Sequence, residues 1–137
     1  MFCEIVEGRS EASFVYRDDR VVAFMDLGAV TPGHLLVIPI PHMAYLADLP
    51  EDLGAHLFVV VTRLAAAVRR SGIPCDGINL FLADGEAAFQ EVFHAHLHVF
   101  PRTPGDGFTI DSTAWSRPKP TRAELDANAE AIRAALG

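Results

Sequence analysis

The sequence predicts an α+β fold: a five-stranded antiparallel sheet carrying one long helix, with a second helix at the C-terminus. Three observations predict it. Five short β-rich runs are separated by Pro, Gly and Asp turn signals, a single stretch of helical periodicity lies between the third and fourth runs, and a capping signature opens the last segment. A chain of 137 residues is the usual size of one domain, and half of it is hydrophobic against 21% charged, which excludes disorder.

Cys3 to Gly8 is compatible with a short helical turn ended by Gly8. Ser13–Tyr16 and Arg20–Met25 flank the turn pair Asp18-Asp19 and read as a β-hairpin, with Asp26 closing its second strand. After the Pro32-Gly33 turn, His34 opens the almost wholly apolar run Leu35–Ile38, bounded by Pro39 and Pro41. Such a run marks a strand covered on both faces. Asp48 is the expected N-cap of the main helix. Leu53, Leu57, Val60, Val61, Leu64, Ala65 and Val68 recur at helical spacing until Gly72 and Pro74 stop the element. Phe58 and Val59 fall off that stripe, so the helix is apolar on two sides and calls for a second partner.

Gly77–Ala83 is the fourth expected strand and Glu91–Arg102 a long fifth, in a meander. Thr103 to Pro120 turns to Pro, Gly, Asp and Ser, a surface linker expected to dock through Trp115. Thr121 with Glu124 forms a capping box opening an Ala-rich helix that carries Leu125, Ile132 and Leu136. The expected organisation is a domain over residues 1–102 and an extension over 103–137 packed on it.

Eleven Lys and Arg against eighteen Asp and Glu leave a net charge of −7, a field that repels nucleic-acid backbones and anionic membrane surfaces. Polymeric nucleic acid and membrane partners are therefore not expected. No apolar run approaches the roughly 18 residues of a membrane span, and no basic stretch leads into a long apolar one at the N-terminus. With only Cys3 and Cys75, no disulfide framework is expected, which suits a reducing, cytoplasmic setting.

His94, His96 and His98 alternate in HAHLHVF, so on a strand they project from one face and Ala95, Leu97 and Val99 from the other. A metal site, a surface ladder and three structural histidines are all readings of such a row. Alternate residues of one strand converge poorly on a single ion, which disfavours the first. If one imidazole is a nucleophile toward phosphorus, its neighbours would fix its tautomer, bind a phosphate oxygen and move the leaving-group proton. His96, with a histidine on each side, is the residue nominated by position.

QEVFHAHLHVFPR (Gln90–Arg102) resembles the His-x-His-x-His signature of the histidine triad (HIT) hydrolases and transferases, and DLGAVTPGHLLVIPIPH (Asp26–His42) resembles their upstream signature. The resemblance implies a HIT-like fold in the Hint-like branch of nucleotide phosphoramidases. It makes His96 the nucleophile at the α-phosphate of a purine nucleotide conjugate, such as an AMP phosphoramidate. In that reading His98 contacts the phosphate, His94 orients the backbone and His34 is a fourth histidine beside the triad. Asp26 would accept from ribose hydroxyls, Phe24 and Leu27 would wall the purine pocket, and Gln90 and the Glu91 amide would attend the phosphate. The family alternatives are a dinucleoside polyphosphate hydrolase or phosphorylase and a nucleotide-binding module with little catalysis. The resemblance further implies a homodimer through helix 51–71 and the adjoining sheet edge, making ten strands, with no cofactor.

Two positions depart from the family pattern: Ala83 replaces an amide side chain and Phe89 replaces a glycine, whose freedom at positive φ a Cβ removes. Relatives that hold a structural zinc use a CxxC pair, the histidine matching His42 and the first triad histidine. Here only Cys3 of the pair is present, so no metal is expected.

Overall fold

Leu35–Pro39, the run expected to be covered on both faces, is the middle strand of the sheet, and every one of its residues is buried. The computed structural model describes residues 1–111 and 118–137. In chain order the elements are α1 (Phe2–Val6), β1 (Phe14–Arg17), β2 (Val21–Met25), β3 (Leu35–Pro39), α2 (Glu51–Arg70), β4 (Gly77–Phe81), β5 (Leu97–Arg102) and α3 (Arg122–Ala135). The strands pair antiparallel in the order β1-β2-β3-β5-β4.

That order corrects the expected meander, because β5 rather than β4 lies against β3. Burial explains it: Val99, Phe100 and Pro101 are buried and need neighbours on both sides, whereas β4 is half-buried to exposed and suits an edge.

The two faces of the sheet are covered differently. On one, Leu53, Leu57, Val60, Val61, Leu64 and Val68 of α2 pack on Val21, Ala23, Leu35, Val37, Leu97 and Val99. On the other, Val22, Phe24, Leu36 and Ile38 are covered by Phe2 and Ile5 of α1. A five-residue helix cannot sustain itself. Burial of Phe2 and Ile5, about 2 kcal/mol each, holds it in place.

Two element boundaries shift from expectation. Asp48 does not cap α2; it closes a separate 3-10 turn, Leu46–Asp48, where its carboxylate accepts from the Tyr45 amide at 3.0 Å. Helix α2 starts instead after Pro50, with Glu51 and Asp52 in its first turn complementing the helix dipole. The fifth strand begins at Leu97 rather than Glu91, because Pro39 and Pro41 offer no amide for a ladder there. In this segment the Ala95 amide donates to Met43 O in the loop after β3 instead, at 2.7 Å.

The capping box at Thr121 forms as expected, but α3 buries none of its residues; Ile132 and Leu136 are 67% and 80% exposed. The first residues of the extension contact β5. Asp106 bonds Arg102 at 2.7 Å, and the Phe108 ring stands 5.3 Å from that of Phe100. Trp115 lies outside the described residues.

One polar knot ties the hairpin to α2. Asp18 Oδ2 accepts from Tyr16 Oη and His56 Nε2, both at 2.6 Å, while Oδ1 accepts from the amides of Arg20 and Val21. Burial alone would raise the Asp18 pKa. The donors outweigh it and hold the carboxyl well below the usual carboxylate range. Asp18→Ala is expected to lower the unfolding free energy by about 2 kcal/mol in urea titration, because four donors lose their acceptor; His56→Ala, which leaves three donors satisfied, is expected to cost less than half as much.

Candidate active site

Sheet register assembles the site on the face away from α2. Phe24 pairs with Leu36, Leu36 with His98, and His98 with Phe81, which makes one transverse row across four strands. Just past that row Asp26 follows β2 and His34 precedes β3, and the Asp26 amide donates to the His34 carbonyl at 3.0 Å. His94 and His96 precede β5, yet the alternation expected of a strand persists. The His96 and His98 rings are 5.0 Å apart, while Leu97 and Val99 enter the core beneath α2.

Hydrogen bonds to groups of fixed polarity assign the imidazole tautomers. His96 Nδ1 lies 2.7 Å from the His94 carbonyl, so Nδ1 carries the proton and Nε2 keeps its lone pair. The Val30 amide donates to His34 Nδ1 at 3.1 Å, which places the His34 proton on Nε2. That N–H donates to His98 Nδ1 at 2.9 Å and has Asp26 Oδ2 at 3.3 Å. His98 must then carry its own proton on Nε2. His94 Nε2–H donates to the Pro39 carbonyl at 2.7 Å, leaving Nδ1 unprotonated.

These assignments need neutral rings, and burial favours that state for His34, His94 and His98. Burial pushes His98 down to about 4, with the neighbouring His96 and His34 adding to the effect and Asp26 opposing it. His34 and His94 are lowered as well, each chiefly by burial.

A cavity of about 210 Å³ is lined by His96, His98, Asp26, Phe81, Phe89 and Glu91 among others. It adjoins a smaller one of about 90 Å³ that shares Phe2, Asp26 and Leu36 and includes Phe24 and Leu27. Phe24 is the floor of this pocket at 2% exposed, and Leu27 is a fully open rim at 99%. Asp26 Oδ1 accepts from the Gly28 amide at 2.8 Å, so this carboxylate serves the turn and the His34–His98 pair as well as facing both cavities.

Gln90 differs most from its expected place. Its side chain is 4% exposed: Oε1 accepts from the Gly85 amide at 2.8 Å, and Nε2 donates to Ala44 O at 2.7 Å and Val92 O at 3.2 Å. With both amide hydrogens occupied, Gln90 braces the loop rather than facing a ligand. Phe89 takes the left-handed conformation, φ 70°, that its Cβ disfavours.

Two groups could hold a metal ion among the described residues: Cys3, His42 and His94, and Asp26, His34 and His98. The second is blocked by its own tautomers, since the one lone pair of His34 is already taken by the Val30 amide. The first fits. Cys3 Sγ lies 3.4 Å from His42 Nδ1 and 3.7 Å from His94 Nδ1, and the His94–Pro39 bond is the kind of outer support that zinc-ligating imidazoles use. These are the three donors that the resemblance leaves once the second cysteine of the pair is missing, and the fold brings them together.

Sequence reasoning missed Phe2, whose ring stands 5.1 Å from that of His96, and Phe81, 5.7 Å from His98. No local signal marks either one. Phe81 would follow from the register of β4 on β5, had that been known.

The model of the HIT domain family matches residues 7–105. Among solved structures, a HIT family protein of Bacillus anthracis is 36% identical with a TM-score of 0.85, the match covering 100% of this chain and 96% of that one. A zinc-bound histidine triad family protein of Mycobacterium smegmatis is 41% identical with a TM-score of 0.75, over 98% and 93%. The adenylylsulfatase HINT3 of Arabidopsis thaliana is 34% identical over 107 residues, 77% of this chain and 53% of that protein.

The depressed histidines set a pH dependence of stability. A base whose folded pKa lies below its unfolded value leaves the unfolded chain holding more protons, so the stability is full above about pH 6.5 and is lost as pH falls toward 4. Denaturation series between pH 7 and 4 are expected to show a loss on the order of 2–3 kcal/mol from His98, and His98→Gln is expected to flatten the slope.

Proposed function

The chain belongs to the HIT domain family of nucleotide hydrolases, and from that premise we propose that it cleaves purine nucleotide conjugates at the α-phosphate through a nucleotidyl-His96 intermediate. The observation that carries this reading is the pair of complementary tautomers in one cavity: a lone pair on His96 Nε2 beside an N–H on His98 Nε2.

The lone pair on His96 Nε2 forms a bond to phosphorus as the bond from phosphorus to the leaving nitrogen breaks. That nitrogen keeps the electron pair, takes a proton from solvent and departs as an amine. Water then bonds to phosphorus, the P–N pair returns to His96 and the surplus proton passes to solvent, so the net reaction adds one water across one P–N bond. Throughout, the His94 carbonyl holds Nδ1–H and so supports the charge that the ring acquires. His98 Nε2–H binds a phosphate oxygen, with the Glu91 amide as a second donor. Asp26 receives the ribose hydroxyls, and Phe24 and Leu27 hold the base between them.

The chemistry asks nothing of a metal. Cys3, His42 and His94 would hold a zinc ion in a structural role, fixing α1 and the His94 backbone. The adenylylsulfatase relative acts on an adenylyl conjugate, which is the same substrate class.

The exposed Phe58 and Val59, 53% and 44% accessible on the outer side of α2, are the surface we assign to a second copy of the chain, together with the adjoining sheet edge.

His96→Ala is expected to lower turnover of AMP phosphoramidate by about a thousandfold or more while AMP affinity in calorimetry changes only a few-fold, and wild-type protein quenched in acid-free buffer should carry AMP on His96 by peptide mass spectrometry. Turnover retained in the variant would sink the assignment. Sedimentation at micromolar concentration is expected to give a dimer for the wild type and a monomer for Phe58→Glu.

A further inference from the structure

The tautomer of His34, and through it that of His98, rests on an amide with little packing of its own. Val30 is 40% exposed and lines a third cavity, of about 440 Å³, together with His34, His98 and Phe81. Its side chain therefore does little to fix the amide that donates to His34 Nδ1. The next residue has the anchor that Val30 lacks. Thr31 is 5% exposed, and its hydroxyl donates to the Pro101 carbonyl of β5 at 2.8 Å, across 70 residues of sequence.

Two observations tie the turn to this bond. The ladder between β3 and β5 runs from Val37–Leu97 to Leu35–Val99. Continued by two residues, it would set Gly33 against Pro101, which has no amide to donate. The Thr31 hydroxyl supplies a polar link at that point instead. The turn is also seated tightly there. Pro32 and Gly33, the latter with φ 92°, fill the centre of a turn closed by His34 N–H to Thr31 O at 3.2 Å. A Cβ on Gly33 would come within 3.0 Å of side-chain atoms of both Pro101 and Ile73. Thr31 and His34 are thus the two ends of one turn resting on Pro101, and Val30 enters it at the Thr31 end.

We propose that Thr31 is a positioning residue of this site: its buried hydroxyl, fixed on Pro101, holds the turn so that the Val30 amide meets His34 Nδ1 and His98 turns an N–H to the phosphate oxygen. This rests on the phosphoryl-transfer reading above and assigns a residue that touches no reacting atom. Without the Thr31 bond the Val30 amide moves off His34, whose proton can then sit on either nitrogen. With the proton on Nδ1, His34 Nε2 accepts from His98 Nδ1–H, and His98 Nε2 turns a lone pair to the phosphate in place of a donor. Asp26 Oδ2, 3.3 Å from His34 Nε2, still favours the original arrangement, so the change is partial. His96 keeps its Nδ1–H on the His94 carbonyl throughout.

The test reads tautomers and turnover together. In the wild type, proton–nitrogen correlation NMR of the imidazoles near neutral pH is expected to show His34 and His98 as Nε2–H and His96 as Nδ1–H. Thr31→Val, which keeps the shape and removes the donor, is expected to add an Nδ1–H population at His34 and His98, to leave His96 unchanged, and to lower kcat for AMP phosphoramidate by about tenfold, part of what the full loss of one such donor costs. Thr31→Ser, which keeps the hydroxyl, is expected to restore the wild-type tautomers and a kcat within about threefold of wild type. If Thr31→Val does not fold, Thr31→Ala, which admits water to the Pro101 carbonyl, takes its place. Wild-type tautomers in the variant without the hydroxyl, an unchanged kcat, or a loss that Thr31→Ser shares in full overturns the assignment and leaves phosphoryl transfer standing. If the wild type is inert toward AMP phosphoramidate, the phosphoryl-transfer reading falls, and the NMR comparison, which needs no turnover, still decides whether Thr31 sets the two rings.

Discussion

The site depends on carbonyl and amide groups of the backbone deciding where imidazole protons sit. A histidine is ambiguous until one of its nitrogens meets a group that can only donate or only accept. Here the His94 and Pro39 carbonyls and the Val30 amide meet three of the four rings, and the fourth, His98, is set through His34. No side-chain acid or base is needed to orient His96. The constraint also explains the burial of these rings: were His34 or His98 to hold two protons, the Val30 amide or the His34 N–H would face another donor, and the relay would break.

Each backbone group belongs to an element placed for reasons unrelated to chemistry. Pro39 ends β3 and offers no amide to continue the ladder, and its carbonyl accepts from His94. Val30 lies in the turn that Pro32 and Gly33 force between β2 and β3. Gln90, buried and bonded three times to loop backbone, holds the turn carrying Phe89 and Glu91 against Ala44. The polar contacts around the site are therefore mostly local, and the sheet contributes register. One row, Phe24–Leu36–His98–Phe81, runs across four strands and lines up residues of all three cavities.

All five strands, the main helix and the triad were legible in the residues, because hydrophobic periodicity and turn chemistry are local properties. What was not legible is non-local. The exchange of β4 and β5 in the sheet reflects a competition for central burial that no single run reveals. Asp26 reads as a turn residue or a ribose acceptor from sequence, and only pairing of β2 with β3 brings it to 3.3 Å from His34. Phe2 sits in a segment too short to assign by period, yet it touches both Phe24 and His96 once α1 folds onto the sheet. Ala83 and Phe89 were visible as departures, but their consequence turns on a backbone angle and on exposure.

The N-terminal helix has a role out of proportion to its length. Phe2 covers the apolar face beside His96, and the adjacent Cys3 stands at the histidine whose carbonyl fixes the His96 tautomer. A donor set made of Cys3, His42 and His94 therefore joins the start of the chain, the loop after β3 and the triad at one point. Whatever occupies that point, proton or ion, acts on His94 Nδ1, and the ring bond from Nε2 to Pro39 transmits the constraint to the backbone from which His96 is hung. His96 itself needs no ligand from this cluster, because its orientation comes from a peptide carbonyl that remains an acceptor in either state.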